Sequence, residues 1–247
     1  MPEETLEWQL ATVTRIIDET PGVKTFTLAL PAWVRHLSGQ HYDIRLTAPD
    51  GYQAERSYSV ASEPERVGEI DITVELIEDG EVSPYLHEVL EVGDQFEVRG
   101  PIGGYFVWDS EPDDAALLVA GGSGIVPLMA MIRHRAAIGS TVRTRLLYSA
   151  RTLEGVIYRA EIERLCDLND GLDVVYTLTR GNPAGWSGYT RRVDEAMLGD
   201  VSRPLGPSIR SYVCGPTPLV ESVAEGLVAT GLEPERIKTE RFGPTGA

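Results

Sequence analysis

The sequence predicts two domains of different fold class. Residues 1–110 are expected to form an all-β, six-stranded antiparallel barrel, and residues 111–247 an α/β domain with a parallel sheet. The first half contains six short runs rich in Val, Ile, Thr and aromatic residues, separated by turn sequences. The second half alternates strand-like and helical runs, as in a parallel sheet with helices on both faces. A polar stretch at residues 110–112 marks the predicted boundary.

The predicted barrel strands cover residues 8–18, 23–30, 42–47, 56–61, 69–77 and 95–98. In residues 70–76 apolar side chains take every second position, which is typical of a strand with one face in a core. One short helix is expected at residues 83–90, with Ser83 as its N-cap and Pro84 as its first helical residue. Six strands with a single short helix indicate a small antiparallel barrel.

The α/β domain begins with a continuous apolar run at residues 115–120, as expected for a strand covered on both faces. Further strands are predicted at residues 143–148, 173–179 and 211–214. Helices are predicted at residues 127–137, 157–166 and 193–198, and a last one at residues 217–230, which Gly231 ends.

Composition and charge exclude several classes of function. The net charge of −16 argues against a nucleic-acid partner. No apolar run approaches the roughly 18 residues of a membrane span. The acidic N-terminus has no signal-peptide pattern, so a cytoplasmic protein without membrane insertion is expected. Residues 1–109 carry 21 acidic and 7 basic side chains, whereas residues 110–247 carry 17 and 15, so the second half suits a polyanionic ligand better.

The cysteine and histidine content indicates that no metal is bound. Two cysteines, Cys166 and Cys214, are too few for a disulfide framework or for a four-thiolate iron–sulfur cluster. The four histidines show no spacing typical of a zinc site. Any redox chemistry must therefore come from an organic cofactor.

Two barrel segments carry phosphate-binding chemistry. In the segment RSYS, Arg56 and Tyr58 point to one side of a strand and Ser57 and Ser59 to the other. An arginine beside a tyrosine can bind a phosphate while the ring stacks on a planar heterocycle; the alternative is an exposed strand with a surface arginine. The second segment, GEVS at residues 80–83, opens a helix whose free amides could bind phosphate, or it is simply a capped surface helix.

The α/β domain places glycine turns and arginines after its strands. GGSG at residues 121–124 follows the first strand, where nucleotides bind in open α/β sheets, although it lacks the GxGxxG spacing. Ser149, Arg151 and Arg180 follow the next two strands and could hold a ribose phosphate together. Cys214 precedes another glycine turn. The alternatives are a close-packed turn, solvent-facing arginines and a cysteine that is only a small buried hydrophobe.

The order of the segments is more specific than any one of them. RSYS, GxxS, GPIGGYF at residues 100–106, GGSGIVP, YSART and YVCGPTP succeed one another in a pattern that resembles the ferredoxin–NADP reductase superfamily over residues 8–242. The resemblance is strongest to stand-alone bacterial reductases similar to the reductase modules of oxygenase systems and flavohaemoglobins. It implies an FAD-dependent oxidoreductase that passes hydride from NADPH or NADH to FAD, and then electrons to a separate acceptor such as a ferredoxin or another redox carrier.

The resemblance also implies roles for individual residues. Arg56 and the amides of residues 80–83 would bind the FAD pyrophosphate, Tyr58 would pack on the flavin, and Ser59 would hydrogen-bond near its N5 atom. Residues 122–126 would cradle the nicotinamide dinucleotide, with Cys214 beside its reactive ring. The predicted catalytic residues are Ser59 and Cys214. The predicted cofactor-binding residues are Arg56, Ser57, Tyr58, Ser59, Gly80, Val82, Ser83, Gly122, Ser123, Gly124, Ser149, Arg151, Arg180, Gly215, Pro216 and Phe242.

The chain departs from the family pattern near its C-terminus. Plant-type members end in an aromatic residue that covers the flavin, whereas here five residues follow Phe242, which is expected either over or beside the flavin or packed elsewhere. No fused ferredoxin domain, globin module or C-terminal cysteine cluster is visible, so the acceptor is expected to be another molecule. Arg151 and Arg180, with Arg191 and Arg192 nearby, favour NADPH over NADH.

The identity of the acceptor has two interpretations. Ferredoxin-like carriers are usually acidic, and an acidic barrel half would repel one in the absence of a local basic patch. The alternative enzyme is therefore a reductase of free flavins, quinones or ferric complexes. An alternative of another class is a non-enzymatic, nucleotide-sensing subunit of a redox complex. A monomer is expected.

Overall fold

The computed structural model describes residues 6–108 and 114–242, so the predicted boundary at residues 110–112 lies outside the described residues. The N-terminal part is a six-stranded antiparallel sheet with one short helix, as predicted. Its elements are β1 (Gln9–Thr20), β2 (Val23–Ala29), β3 (His41–Thr47), β4 (Gln53–Ser59), β5 (Glu69–Glu75), α1 (Ser83–Glu88) and β6 (Gln95–Ile102).

The sheet curls into a barrel. Its strand order is β4-β3-β6-β1-β2-β5, and a bridge between Val60, just after β4, and Ile72 of β5 joins the two ends. The interior is filled by fully buried apolar side chains such as Phe26, Ile44 and Ile72. This confirms the predicted barrel.

Strand β6 continues four residues beyond its predicted end and contains a glycine at a crowded point. A Cβ atom on Gly100 would lie 2.6 Å from the ring of Tyr42, so only glycine lets that ring pack against the strand.

The C-terminal part is a five-stranded parallel sheet with helices on both faces, which also confirms the prediction. Its elements are β7 (Ala115–Gly121), α2 (Ile125–Ala137), β8 (Thr144–Ala150), α3 (Arg159–Cys166), β9 (Leu172–Leu178), α4 (Glu195–Ser202), β10 (Ile209–Pro216), α5 (Thr217–Ala229) and β11 (Ile237–Phe242).

Strand β7 lies at the centre of this sheet, in the order β11-β10-β7-β8-β9. Alternate residues of β7 enter two separate cores. Leu118 packs in the cluster that contains α2, whereas Leu117 packs in the cluster that contains α4 and α5. The chain order reverses between β7 and β10, which is the position where open α/β sheets form their ligand crevice.

Strand β11 is absent from the sequence prediction, which ended with the helix α5. Only Ile237 and Phe242, at its two ends, are apolar. An edge strand has one neighbouring strand and one partly solvated face, so it needs few apolar residues and leaves a weak sequence pattern. Its pairing with β10 from Ser211 to Pro216 is nevertheless continuous.

A partly buried polar contact joins the two domains. Arg133 of α2 donates to both carboxylate oxygens of Glu161, at 3.0 and 2.6 Å, and to the backbone oxygen of Ala61 beyond β4, at 2.8 Å. The guanidinium also lies over the ring of Tyr158, whose hydroxyl donates to Oγ1 of Thr73 in β5. Arg133 is largely buried, and Tyr158 and Thr73 are buried, so their polar groups depend on these partners. The contact therefore favours one relative arrangement of barrel and α/β domain.

Within residues 6–108 and 114–242, every helix is too short or too polar to cross a membrane.

We expect Arg133→Ala to lower the free energy of unfolding by about 2 kcal/mol, because the charge-assisted hydrogen bonds of a largely buried guanidinium to Glu161 and Ala61 are lost. Urea unfolding followed by circular dichroism measures the change. The control is Arg159→Ala, which removes an exposed ion pair with Glu163 on α3 and should cost about 0.5 kcal/mol or less. Equal losses for the two variants would contradict the importance of the interdomain contact.

Candidate functional site

The principal cleft lies at the carboxyl ends of the parallel strands, where the barrel meets the α/β domain. Its volume is about 990 Å³, at the upper end of the usual range for ligand sites. The α/β domain supplies most of the lining, and the barrel contributes the β1–β2 turn and the end of β5. Residues that line it include Gly22, Glu75, Gly122, Ser123, Ser149, Arg151, Ile157, Arg180, Arg192, Pro216 and Phe242.

The glycine turn after β7 forms one wall of the cleft. It is a single 3₁₀ turn, Gly122–Gly124, that leads directly into α2. A Cβ atom on Gly124 would lie 2.2 Å from the carbonyl oxygen of Cys214, so this position requires glycine. Gly122 has φ +55°, and a Cβ atom there would meet nothing within 4 Å. The turn is therefore packed against β10 at its back and open to the cleft at its front.

The side chain of Tyr148 in β8 holds this turn in place. Its fully buried hydroxyl donates to the carbonyl oxygen of Gly122 at 3.0 Å and accepts the backbone N–H of Ile157 at 3.3 Å. Burial raises the pKa of Tyr148 well above its ordinary value, so the hydroxyl stays neutral and can donate. Tyr148 was predicted only as the end of a strand, because nothing in the local sequence indicates this positioning role.

Basic side chains also line the cleft. Arg151, Arg180 and Arg192 all contribute, and Ser149, which is paired with Gly121 in the sheet, lines it as well. The loops after β8 and β9 run side by side, because the N–H of Arg180 donates to the carbonyl oxygen of Arg151 at 2.8 Å. In the part of the chain that the structure describes, none of these three arginines has an acidic partner. Arg191, in contrast, is paired with Asp194 at 2.5 Å and does not line the cleft.

On the barrel, the structure separates the two sides of β4 as predicted. Arg56 and Tyr58 lie opposite Ile44 and Tyr42 of β3, and burial raises the pKa of Tyr58 to about 12. Ser57 lies on the other face, where its hydroxyl donates to Asp43 at 2.7 Å. The structure therefore brings Arg56 and Tyr58 together and leaves Ser57 apart from them.

The GEVS segment differs from its prediction in one respect. The N-cap of α1 is Val82, without a side-chain cap, and Ser83 is already helical, so the prediction of Ser83 as N-cap was wrong. The hydroxyl of Ser83 instead accepts the N–H of Ile77 at 3.0 Å and folds the loop that carries Gly80 back onto the end of β5. Val82 and Ser83 are both buried. The side chain of Glu81 reaches Arg56 and accepts a hydrogen bond from its guanidinium at 2.8 Å.

The two domains meet at a hydrogen bond between Ser59, a predicted site residue, and Glu240, which was not predicted. The hydroxyl of Ser59, at the end of β4, donates to the carboxyl of Glu240 in β11 at 3.3 Å. Burial raises the pKa of Glu240 to about 7, and the hydrogen bond from Ser59 opposes the shift. Glu240 was missed because β11 was not predicted. The sequence offers one signal for its place at the site: Glu240 lies two residues before Phe242, so the two share one face if this segment is a strand.

Cys214 lies beside Glu240 in the sheet, in register on β10. The thiol is fully buried, and burial, followed by the charge of Glu240, raises its pKa well above the ordinary value. It is therefore a neutral neighbour of the domain seam rather than an exposed thiolate. Its carbonyl oxygen, which packs against Gly124, shapes the cleft more directly than its sulfur does.

Phe242, the aromatic residue near the C-terminus, lies at the cleft, and its expected position over or beside the flavin stays a prediction. It is paired with Pro216, packs against the core beside α2 and lines the cleft. Residues 243–247 lie outside the described residues. No group of three or more histidine, cysteine, aspartate or glutamate side chains in the described ranges could hold a metal ion.

Comparison with known families matches both halves of the chain. The model of the oxidoreductase FAD-binding domain matches residues 10–107, and that of the oxidoreductase NAD-binding domain matches residues 118–225. Both describe oxidoreductases, so the chain is an enzyme that uses FAD and NAD(P)H rather than a non-enzymatic sensor.

Individual relatives agree with these matches. The chain is 32% identical over 237 residues to the glycine betaine monooxygenase reductase subunit of Chromohalobacter salexigens, covering 94% of this chain and 64% of that protein. It thus spans slightly less than two thirds of that relative. It is 33% identical over 213 residues to ferredoxin–NADP reductase B of Sorangium cellulosum, covering 83% of this chain and 84% of that protein.

The fold agrees with a solved structure. The Flavohem-like FAD/NAD binding domain of nitric oxide dioxygenase from Vibrio cholerae has a TM-score of 0.84 and 23% identity, covering 96% of this chain and 99% of that one. This likeness concerns the fold. With the two domain matches and the Sorangium relative, it shows that the chain belongs to the ferredoxin–NADP reductase superfamily.

Proposed function

We propose that this chain transfers hydride from NADPH, or less readily NADH, to FAD held on the barrel, and then passes electrons to a separate acceptor. The observation that carries the proposal is the seam at which Ser59 of the barrel bonds Glu240 of the α/β domain, two residues before Phe242 in the cleft wall. A nicotinamide nucleotide in the cleft and a flavin on the barrel can meet only at such a seam.

The residues present fit both cofactors. The half-exposed guanidinium of Arg56 and the ring of Tyr58 offer a phosphate ligand and a stacking surface on one side of β4. In the cleft, the open front of the Gly122 turn presents backbone amides, and unpaired arginines offer charge for phosphate groups. When bound, FAD supplies the hydride acceptor and the nicotinamide supplies the hydride.

The protein's own contribution is position and electrostatics. Tyr148 holds the glycine turn, and Phe242 limits the space at the seam. Ser59 keeps the carboxyl of Glu240 at a fixed point between the domains. Because its pKa is about 7, Glu240 can give or take a proton there near neutral pH.

The proposed acceptor is a redox protein. The Chromohalobacter relative is named as a reductase subunit of a monooxygenase, which supports an oxygenase component or its electron carrier. The excess of acidic residues in the first half of the chain favours a partner without strong negative charge over an acidic ferredoxin. The same observation keeps free flavins, quinones or ferric complexes as the second candidate. The monomeric state and the cytoplasmic location stay predictions.

The test is an absorbance spectrum of the purified protein after incubation with FAD and gel filtration, followed by anaerobic addition of NADPH. We expect bound flavin in about one-to-one ratio, and bleaching of its visible band by NADPH. Arg56→Ala should lose most of the flavin, because an arginine–phosphate contact contributes strongly to binding. Wild-type protein that stays colourless with excess FAD would exclude the proposed function.

The choice of nucleotide tests the basic end of the cleft. We expect Arg151→Ala to lower kcat/KM for NADPH about ten-fold or more, because a charge-assisted hydrogen bond to the 2′-phosphate is lost. The value for NADH should fall much less. Arg164→Ala removes an exposed charge from α3 without touching the cleft and should change neither value. A higher kcat/KM for NADH than for NADPH in the wild type would contradict the proposed preference.

The raised pKa of Glu240 predicts a pH-dependent stability difference. Its pKa is about 7 in the fold and near 4.5 in the unfolded chain, so the ionised carboxylate destabilises the fold. This penalty is absent below the lower pKa and grows as pH rises toward the higher one. Melting curves should therefore show Glu240→Gln gaining stability over the wild type progressively between pH 5 and pH 8.

The exposed Glu235 offers the control, because Glu235→Gln should give a melting difference that does not follow this trend. A Glu240→Gln difference that stays constant with pH would mean that the carboxyl is not held in a desolvated site.

A further inference from the structure

Glu81 occupies the anion position of the FAD-binding arginine. One of its carboxylate oxygens accepts a hydrogen bond from Nη2 of Arg56 at 2.8 Å, and the other accepts one from the hydroxyl of Tyr52 at 2.6 Å. Arg56 also donates through Nη1 to the carbonyl oxygen of Glu55 at 2.7 Å. The guanidinium proposed to hold the FAD diphosphate is therefore already paired with a carboxylate.

We infer that Glu81 is a built-in competitor for the FAD diphosphate, which releases Arg56 only when the cofactor displaces it. The inference rests on the proposed function. Carboxylate and phosphate bind the same fork of guanidinium N–H groups. Moreover, a diphosphate on Arg56 would bring its negative charge close to that of Glu81, and like charges at hydrogen-bonding distance repel.

The geometry allows the exchange without rebuilding the fold. The side chains of Arg56 and Glu81 are 51% and 49% exposed, so water can replace each partner. The loop backbone is held independently of Glu81, because the N–H of Gly80 donates to Ile77 at 2.8 Å and Ser83 binds the same residue. The side chain of Glu81 can therefore swing away while the loop stays in place.

The charge state of Glu81 supports the inference. The hydrogen bond from Tyr52, and then the one from Arg56, lower the pKa of Glu81. The carboxylate therefore stays ionised at neutral pH and competes as a full negative charge. Tyr52 directs it toward Arg56 by holding its second oxygen. The competitor is thus a pair, Glu81 with Tyr52, supplied by the loop and the β3–β4 turn.

The consequence is a cofactor affinity below what Arg56 alone could provide. To reach Arg56, FAD must displace the carboxylate of Glu81, which the fold keeps next to it. A small free anion must displace the same carboxylate but makes fewer contacts with the protein than FAD does. The cofactor-free protein is thereby protected against adventitious phosphate compounds at Arg56.

The experiment measures FAD affinity rather than turnover. Cofactor-free protein, prepared from the holoenzyme, is titrated with FAD, and the flavin fluorescence gives Kd. We expect Glu81→Gln to lower Kd about 3- to 10-fold, the range set by the loss of one exposed ion pair and one repulsive charge. Tyr52→Phe should lower it by a smaller factor. The gain in Glu81→Gln should shrink as salt rises, because salt screens both terms.

The matched control is Glu78→Gln. It removes the same charge from the same loop, and Glu78 is exposed and has no partner among the described residues. Its Kd should stay within about 1.5-fold of the wild type, as expected for a screened distant charge. Circular dichroism and melting curves verify that all variants fold.

The outcomes separate the inference from the proposed function. An unchanged or higher Kd in Glu81→Gln overturns the inference, and so does an equal gain in Glu78→Gln, which would reflect overall charge. If the wild type and all variants fail to bind FAD, the proposed function fails and the inference falls with it. If the wild type binds FAD and only Glu81→Gln and Tyr52→Phe bind it more tightly, both stand.

Discussion

The arrangement of this molecule depends on the contact of Arg133 with groups of both domains. Its largely buried guanidinium donates two hydrogen bonds to the carboxylate of Glu161 and one to the carbonyl oxygen of Ala61. Ala61 is two residues beyond Ser59 in the barrel. The contact therefore holds the segment just after β4 against α2, in the same stretch of chain as Ser59, which bonds Glu240.

A second constraint acts within the α/β domain. The glycine turn after β7 and the turn after β10 lie back to back, with Gly215 and Gly121 in backbone contact. A Cβ atom on Gly215 would lie 3.1 Å from backbone atoms of Gly121, so a side chain there would push the two strands apart. The buried hydroxyl of Tyr148 then fixes the position of the turn after β7 by donating to the carbonyl oxygen of Gly122. Small residues make the close approach possible, and one hydrogen bond selects its geometry.

Much of the fold was predictable because its patterns are local. The two-residue alternation in β5 places apolar side chains on the barrel core and the polar Asp71 and Thr73 on a second buried face, whereas the apolar run in β7 reflects two apolar buried faces. The motifs after the strands also converge as the topology requires. The Ser59–Glu240 hydrogen bond, in contrast, joins residues 181 positions apart. No local pattern encodes such a pairing, and the polar edge strand β11 concealed one of its partners.

The same distinction explains the other differences. Ser83 has the residue type of an N-cap, but its hydroxyl accepts the N–H of Ile77 six residues earlier, a competing hydrogen bond that depends on how this loop folds. The pairing of Arg56 with Glu81 depends on how the loop after β5 folds over β4, which spacing alone does not reveal. Residue types indicated the chemistry of the site, whereas the partners of each side chain required the structure.

The burial of Cys214 affects the durability of a redox protein. Thiols are attacked by peroxides and disulfides as thiolates, and susceptibility follows exposure. The sulfur of Cys214 lies beside the seam where electrons would pass, yet it has no solvent access and a strongly raised pKa. Oxidants formed by stray reaction of a reduced cofactor with oxygen would therefore find no reactive sulfur at this point. Burial thus protects a cysteine that lies next to the seam between the two domains from oxidation.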